Sequence, residues 1–138
     1  MAFSSGQIVR FHDIDRAGIV YYPRFFDYIH RTFEDFCEAE VGIPHHKVVD
    51  EMKVGFPVVH IEAEFHHPLQ HGDRISVEMT CGRLGRSSMT MRYRLFRPGI
   101  EEPAAEASII TACVDIATVK PMPIPDVLRV AFQRHLAP

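Results

Sequence analysis

A chain of 138 residues with 46% hydrophobic content has enough apolar material for one domain, whereas two would each be left with a thin core. Its formal charge of -3 and pI of about 6.3 remove any general electrostatic reason to bind nucleic acid or an anionic membrane, so a charge argument must be local. Cys37, Cys81 and Cys113 lie far apart and form no CxxC pair, which fits reduced thiols in a cytoplasmic protein better than a disulfide framework. Residues 1–6 lack a basic region followed by an apolar stretch, and no apolar run approaches the roughly 18 residues that cross a bilayer. Neither export nor membrane insertion is expected.

In chain order, residues 7–11 read as a short strand, and the polar, glycine-terminated stretch 12–18 reads as a loop. Pro23 suits the first turn of a helix, where a missing N–H has no intrahelical partner to lose. Phe25, Phe26, Ile29, Phe33, Phe36 and Cys37 then recur at spacings of three and four, which predicts one long helix to about Glu40, stopped by Gly42 and Pro44. Beyond it the period becomes two. Val59, Ile61, Ala63 and Phe65 alternate with His60, Glu62 and Glu64; Ile75, Val77, Met79 and Cys81 alternate with Ser76, Glu78 and Thr80; Met89, Met91, Tyr93 and Leu95 form a third set. Residues 104–116 are nearly continuous in small and apolar side chains, as in a strand covered on both faces. Short connections at Gly72-Asp73, 84–87 and 97–99 favour antiparallel neighbours. Three prolines at 121, 123 and 125 end the sheet, and residues 126–135 predict a short terminal helix. The order indicates an α+β domain over 1–138, with one long helix on an antiparallel sheet of about five strands.

The most informative segment is Phe11-His12-Asp13-Ile14-Asp15-Arg16-Ala17-Gly18-Ile19-Val20-Tyr21-Tyr22-Pro23. It resembles the signature of the 4-hydroxybenzoyl-CoA thioesterase family, a D-x-D-x-A-G stretch leading into the central helix of a hotdog fold. The likeness continues through Phe56-Pro57-Val58-Val59, through Phe65-His66-His67-Pro68-Leu69 with Gly72-Asp73, and through residues 121–125. This resemblance implies hydrolysis of an acyl-CoA, aromatic such as 4-hydroxybenzoyl-CoA or short to medium, with Asp15 as catalytic carboxylate and with Tyr22, Gly18 and Tyr21 around the oxyanion and acyl group. It also implies a homo-oligomer, a dimer or tetramer of hotdog subunits with sites at their interfaces. The chemistry is reasonable, because an aspartate can attack a thioester carbonyl or take a proton from water, and free N–H groups at a helix start can hold the developing oxyanion. The ordinary alternative for Asp15 is a loop carboxylate that caps the backbone. Asp13 is expected to be structural, and His12 is assigned no role.

Arg83, Arg86, Arg92, Arg94 and Arg97 fall between Cys81 and Gly99 with no acidic residue among them, in an otherwise slightly acidic chain. Arginine forks with serine hydroxyls hold phosphates well, and by resemblance Arg86, Ser87 and Ser88 occupy the place that contacts the nucleotide part of coenzyme A. The competing account is that charged strand residues protect a sheet from edge pairing. The neighbouring histidines His45-His46 and His66-His67, with His71, form no ligand pattern, so no metal is expected, and no cofactor beyond the coenzyme A of the substrate. Dinucleotide, Walker A and GxSxG motifs are absent from the sequence. A non-catalytic acyl-CoA or protein-binding module on the same fold is the main alternative to an enzyme.

Overall fold

Helix α1 (Arg24–Phe36) organises the structure, a computed structural model that describes residues 1–137. Its aromatic stripe buries Phe25, Ile29, Phe33 and Phe36 together with Tyr28 and Thr32, while Phe26 is half-buried. The helical path continues as a wider π-turn over Cys37–Val41 and stops at Gly42, whose φ of 81° is the left-handed conformation that closes a helix. The stop predicted near Glu40 is therefore found, with a change of helical pitch before it.

The sheet against which α1 packs has the order β1-β4-β5-β6-β3, with every pair antiparallel: β1 (Phe3–Ile8), β3 (Val58–Phe65), β4 (Arg74–Leu84), β5 (Ser88–Phe96) and β6 (Ala105–Ala112). The alternation holds in the central strands. Ile75, Val77, Met79 and Cys81 of β4 and Met89, Met91, Tyr93 and Leu95 of β5 are all buried. A stacked aromatic group closes one end of this core, where Phe36 lies 5.7 Å from Phe132 of helix α3 (Asp126–Gln133) and 5.4 Å from Phe3. All three cysteines are buried and unpaired, and burial pushes the Cys37 thiol up to about 12 and that of Cys81 to about 11, which makes both unreactive.

Four elements differ from the sequence expectation. The first strand lies four residues earlier at its start, and Phe11 stands in a 3-10 turn (Phe11–Asp13) with its ring exposed. Ser5 and Gly6 are weak strand formers, but pairing to β4 from Phe3↔Met79 to Ile8↔Arg74 overrides that preference. The stretch 104–116 breaks at Cys113: β6 ends at Ala112, and β7 (Val114–Asp115) leaves to pair with β2 (Val54–Gly55). Strand β6 is half-buried over most of its length rather than covered on both faces. The short helix α2 (His45–Asp50) follows the proline that ends the long helix and was not expected. Strand β3 departs most in environment, since it is one of the sheet's two edges and leaves Val58, Val59, Ile61 and Phe65 exposed.

What fixes the loop before α1 is a buried carboxylate. Asp13 is 2% exposed and accepts hydrogen bonds from the Tyr28 hydroxyl at 2.8 Å and from the Arg10 amide at 3.0 Å, with His12 Nε2 at 3.3 Å. Burial alone would raise its pKa, but the Arg10 and Tyr28 hydrogen bonds and the nearby His12 and Arg31 charges outweigh it, and the carboxyl sits below its ordinary 3.8. Burial and then the Asp13 charge push the Tyr28 hydroxyl well above the usual range, so it stays a donor. A depressed carboxyl pKa contributes stability above the unfolded value, and that stability is lost as pH falls through the folded value. Asp13→Asn keeps an acceptor but removes the charge. We expect it to lower stability by about 2 kcal/mol at neutral pH, with the difference from the parent closing as the pH falls through the acidic range below 3.8, where the parent is itself protonated; urea unfolding at both ends of that range measures this.

Candidate active site

Between Asp13 and the helix the chain makes a small hairpin. Ile14 pairs with Val20, the Asp15 amide donates to Ile19 O at 2.9 Å, and Gly18 N–H donates back to Asp15 O at 3.0 Å. Gly18 closes the turn at a φ of 80°, where a side chain would be strained although space is open around it. Its place in the signature is thus accounted for by backbone conformation. The hairpin is anchored to the connection between β3 and β4 by Val20 N–H to Leu69 O at 2.8 Å and by the Ile19 to Gln70 bridge. This explains why the segment around Pro68-Leu69 and Gly72-Asp73 travels with the signature: Gly72 N–H donates to Val9 O, Val9 N–H to Asp73 O, and Asp73 Oδ2 accepts from Gln70 N–H.

Asp15 stands exposed on this frame. Its Oδ1 accepts the Ala17 N–H at 2.8 Å, which fixes the carboxylate's direction, and Oδ2 has no partner among the described residues. Directly after the hairpin, the Tyr21 amide donates to Asp13 O, and Arg24, Phe25 and Phe26 donate to the carbonyls of Tyr21, Tyr22 and Pro23. Pro23 has no N–H. Of residues 21–26, the Tyr22 amide is therefore the one N–H without an acceptor among the described residues. The Tyr21 and Tyr22 rings touch, with centroids 5.4 Å apart, and both face solvent in a single protomer.

Deeper along α1 lies an apolar cavity of about 230 Å³ between the helix and the β3 side of the sheet, walled by Phe26, Ile29, Phe33, Ile61 and Met91 among others. His30, Tyr93 and Thr111 are among its lining residues, and the Thr111 hydroxyl is buried without a hydrogen-bond partner among the described residues. Sequence reasoning placed Tyr93 in the core and did not weigh Thr111, because nothing in a period-two pattern separates a core wall from a cavity wall. Tyr21, Tyr22 and Gly18 do not line this cavity within the protomer.

The arginines separate into distinct environments. Arg97 donates to Pro68 O at 3.0 Å beside Asp73, Arg94 lies 3.9 Å from Glu106, and Arg92 reaches Ala137 O at 3.5 Å. Arg83 and Arg86 are exposed around the turn from β4 to β5. That turn is held rigid by Arg129, which sequence reasoning missed: its guanidinium donates to Gly85 O at 2.6 Å and lies 3.3 Å from Arg86 O, while Ile124 N–H also donates to Arg86 O. Ser88 is exposed and Ser87 half-buried on the same turn. The carboxylate and this turn stand at opposite ends of the sheet. Asp15 is tied near the Arg74 end of β4 and the turn follows Leu84, so the 11 residues of β4 separate them by roughly 35 Å.

Comparison with known proteins places this geometry. Residues 9–132 match the thioesterase-like superfamily. A 1,4-dihydroxy-2-naphthoyl-CoA hydrolase of Synechococcus elongatus is 32% identical over 124 residues, 89% of each chain. Among solved structures, a 1,4-dihydroxy-2-naphthoyl-CoA thioesterase from Synechocystis superposes with a TM-score of 0.87 at 22% identity over 96% of both chains, and carries the fold comparison alone. A gentisyl-coenzyme A thioesterase superposes with a TM-score of 0.83 at 27% identity, over 94% of this chain and 99% of the other. The long helix on a five-stranded antiparallel sheet is thus a hotdog fold, and the chain belongs to the thioesterase-like superfamily.

Proposed function

We propose that this protein hydrolyses the thioester of a hydroxylated aromatic acyl-CoA, with Asp15 as the reacting carboxylate and the Tyr22 N–H as the oxyanion donor. The observation that carries the reading is the pairing of an exposed, directed carboxylate with a free amide at the start of α1, on two sides of one anchored hairpin. A carbonyl placed between them meets a base or nucleophile on one side and a donor on the other. Asp15 either attacks the carbonyl carbon, expelling the coenzyme A thiolate and leaving a mixed anhydride for water to open, or removes a proton from the attacking water. Both routes give free acid and coenzyme A. Single turnover in isotopically labelled water tests for direct attack: an oxygen from Asp15 in the first product requires a mixed anhydride that water opens at the Asp15 carbonyl, and an Asp15 oxygen that takes up label marks the same event.

Support for an aromatic acyl group comes from the named relatives, whose substrates are dihydroxynaphthoyl- and gentisyl-coenzyme A. The apolar cavity beside α1 is of a size for an acyl group rather than a whole coenzyme A, and the unpaired Thr111 hydroxyl would meet a polar substituent on a ring. Straight-chain acyl groups would leave Thr111 unpaired.

The separation of Asp15 from Arg86 bears on assembly. A gap of roughly 35 Å is too long for the thioester and the nucleotide phosphates of one coenzyme A. Two copies joined antiparallel through β3 remove the difficulty. Val58 pairs with Thr111 and Ala112 pairs with Ser88, so the Val58 end of β3 and the turn carrying Arg86 share one end of the sheet. Phe65, at the other end of β3, packs 5.0 Å from Phe25 near the start of α1. A two-fold β3 pairing therefore sets Asp15 of one copy beside Arg86 of the partner subunit, and it covers Val59 and Ile61.

Thiol release from a panel of aromatic and straight-chain acyl-CoAs should show turnover of hydroxylated aromatic substrates that falls about 100-fold or more in Asp15→Asn at unchanged fold. No turnover, or an equally active variant, would move the non-catalytic binding module ahead. Arg86→Ala should raise KM for the coenzyme A substrate with little change in kcat, and leave the corresponding acyl-pantetheine unaffected. Ile61→Glu should give a monomer by light scattering with activity lost; a dimeric, fully active variant argues against the β3 pairing.

A further inference from the structure

Adjacent histidines on this chain do not make a ligand set, but the fold assembles one that no sequence spacing displays. His30 and Glu34 stand one turn apart on the same face of α1, and His45 comes to them from the first residue of α2. His30 Nε2 lies 3.3 Å from Glu34 Oε2, His45 Nδ1 lies 3.8 Å from Glu34 Oε1, and one ligand atom from each of the three falls within 4.8 Å of the others. A tetrahedral ion with bonds of about 2.0–2.2 Å needs its ligand atoms about 3.3–3.6 Å apart, so small side-chain rotations close this triad on a metal.

From this convergence we propose that His30, Glu34 and His45 form a binding site for a divalent transition ion of the zinc class, which clamps α2 to α1. Two imidazoles and one carboxylate are a donor set typical of zinc, with a fourth position left to solvent. The rings are already held in place: His45 packs edge-on against Phe33 at 5.9 Å and against His30 at 5.4 Å, and its side chain is largely covered. Partial burial favours the neutral imidazole that a metal ligand requires, and it outweighs the pull of Glu34. A second group of Glu64, His66 and Glu106 on the opposite sheet face is a poorer candidate, because Arg94 lies 3.9 Å from Glu106 and supplies a competing cation. The ion's place in the fold is structural. His30 follows Tyr22 by eight residues, about 12 Å along the helix axis, and both His30 and Phe33 line the apolar cavity. The clamp would brace the cavity wall without touching the thioester, so the proposal stands apart from the assignment of Asp15.

The test is a Co²⁺ titration of the tag-free, chelator-treated full chain, followed by its visible absorption and then by displacement with Zn²⁺. One Co²⁺ per chain with the bands of a low-coordinate histidine site, lost in His30→Ala and in Glu34→Ala but kept in His66→Ala, is expected, together with a Zn²⁺-dependent rise in Tm in the parent and in His66→Ala but in neither of the other two variants. Both lost residues are exposed enough to be replaced without unfolding the chain, and circular dichroism checks this. Absence of such binding, binding that survives both changes, or binding abolished by His66→Ala would overturn the proposal.

Discussion

The Asp13 carboxylate is the constraint on which the arrangement of the site depends. One buried group receives the Arg10 amide, the Tyr28 hydroxyl and the His12 ring, and so ties the end of the first strand segment to the middle of α1 across the loop between them. An unpaired charge at that depth would cost several kcal/mol, so the two donors and the acid must be kept together. With both flanks fixed, the intervening hairpin has little freedom, and Val20 and Ile19 pin its far side to the β3–β4 connection. Asp15, two residues on, inherits its position from Asp13 while remaining in solvent. The two acids of the signature therefore divide the work by environment, the buried one setting geometry and the exposed one left available for chemistry.

A second consequence concerns where the sheet is closed and where it is open. The β1 edge is short and polar, and is tied to α1 by Gln7 Nε2 donating to Tyr28 O at 2.8 Å and by Ser5 donating to Asp35. The β3 edge has no such cover among the described residues and presents Val58, Val59, Ile61 and Phe65. An apolar edge strand left bare is an aggregation hazard, which natural chains blunt with charge, proline or a partner. Here the charges of β3 (Glu62 and Glu64) lie on the sheet face turned away from α1, with the outward groups of β4, β5 and β6, and leave the apolar side of the edge unprotected. Pairing of this edge with a second copy would remove the hazard and join the two ends of the proposed site in one step.

Much of the fold was legible because the central strands and α1 obey simple periods. Residues 75–81 and 89–95 alternate over a fully covered face, and the stripe from Phe25 to Cys37 has a clear helical spacing. What was not legible depends on partners distant in sequence. Strand β1 exists because β4 supplies its pairing, not because Phe3-Ser4-Ser5-Gly6 favours extension. The exposure of β3 depends on strand order, which alternation within the strand does not reveal. At the site, the signature drew attention to Asp15 and to the start of α1, where the structure has an exposed carboxylate and a free amide, and the expectation of a structural Asp13 agrees with its burial and its bond to Tyr28. Arg129, Thr111 and the His30–Glu34–His45 group carried no local signal, since each gains its meaning only when another element is folded against it.

The same reasoning shows why charge composition was a weak guide to the arginines. Five of them in one stretch suggested a single phosphate-binding surface, yet three are occupied by Pro68, Glu106 and Ala137 on the sheet or its margins. An arginine already paired must lose that partner before it can hold a phosphate, whereas the exposed Arg86 guanidinium has no partner among the described residues. Its backbone carbonyl is meanwhile held by Ile124 and Arg129, so the side chain projects from a turn whose entropy is already spent in folding. Availability and a fixed base, rather than local charge density, distinguish a residue able to bind a ligand from one that keeps a sheet soluble.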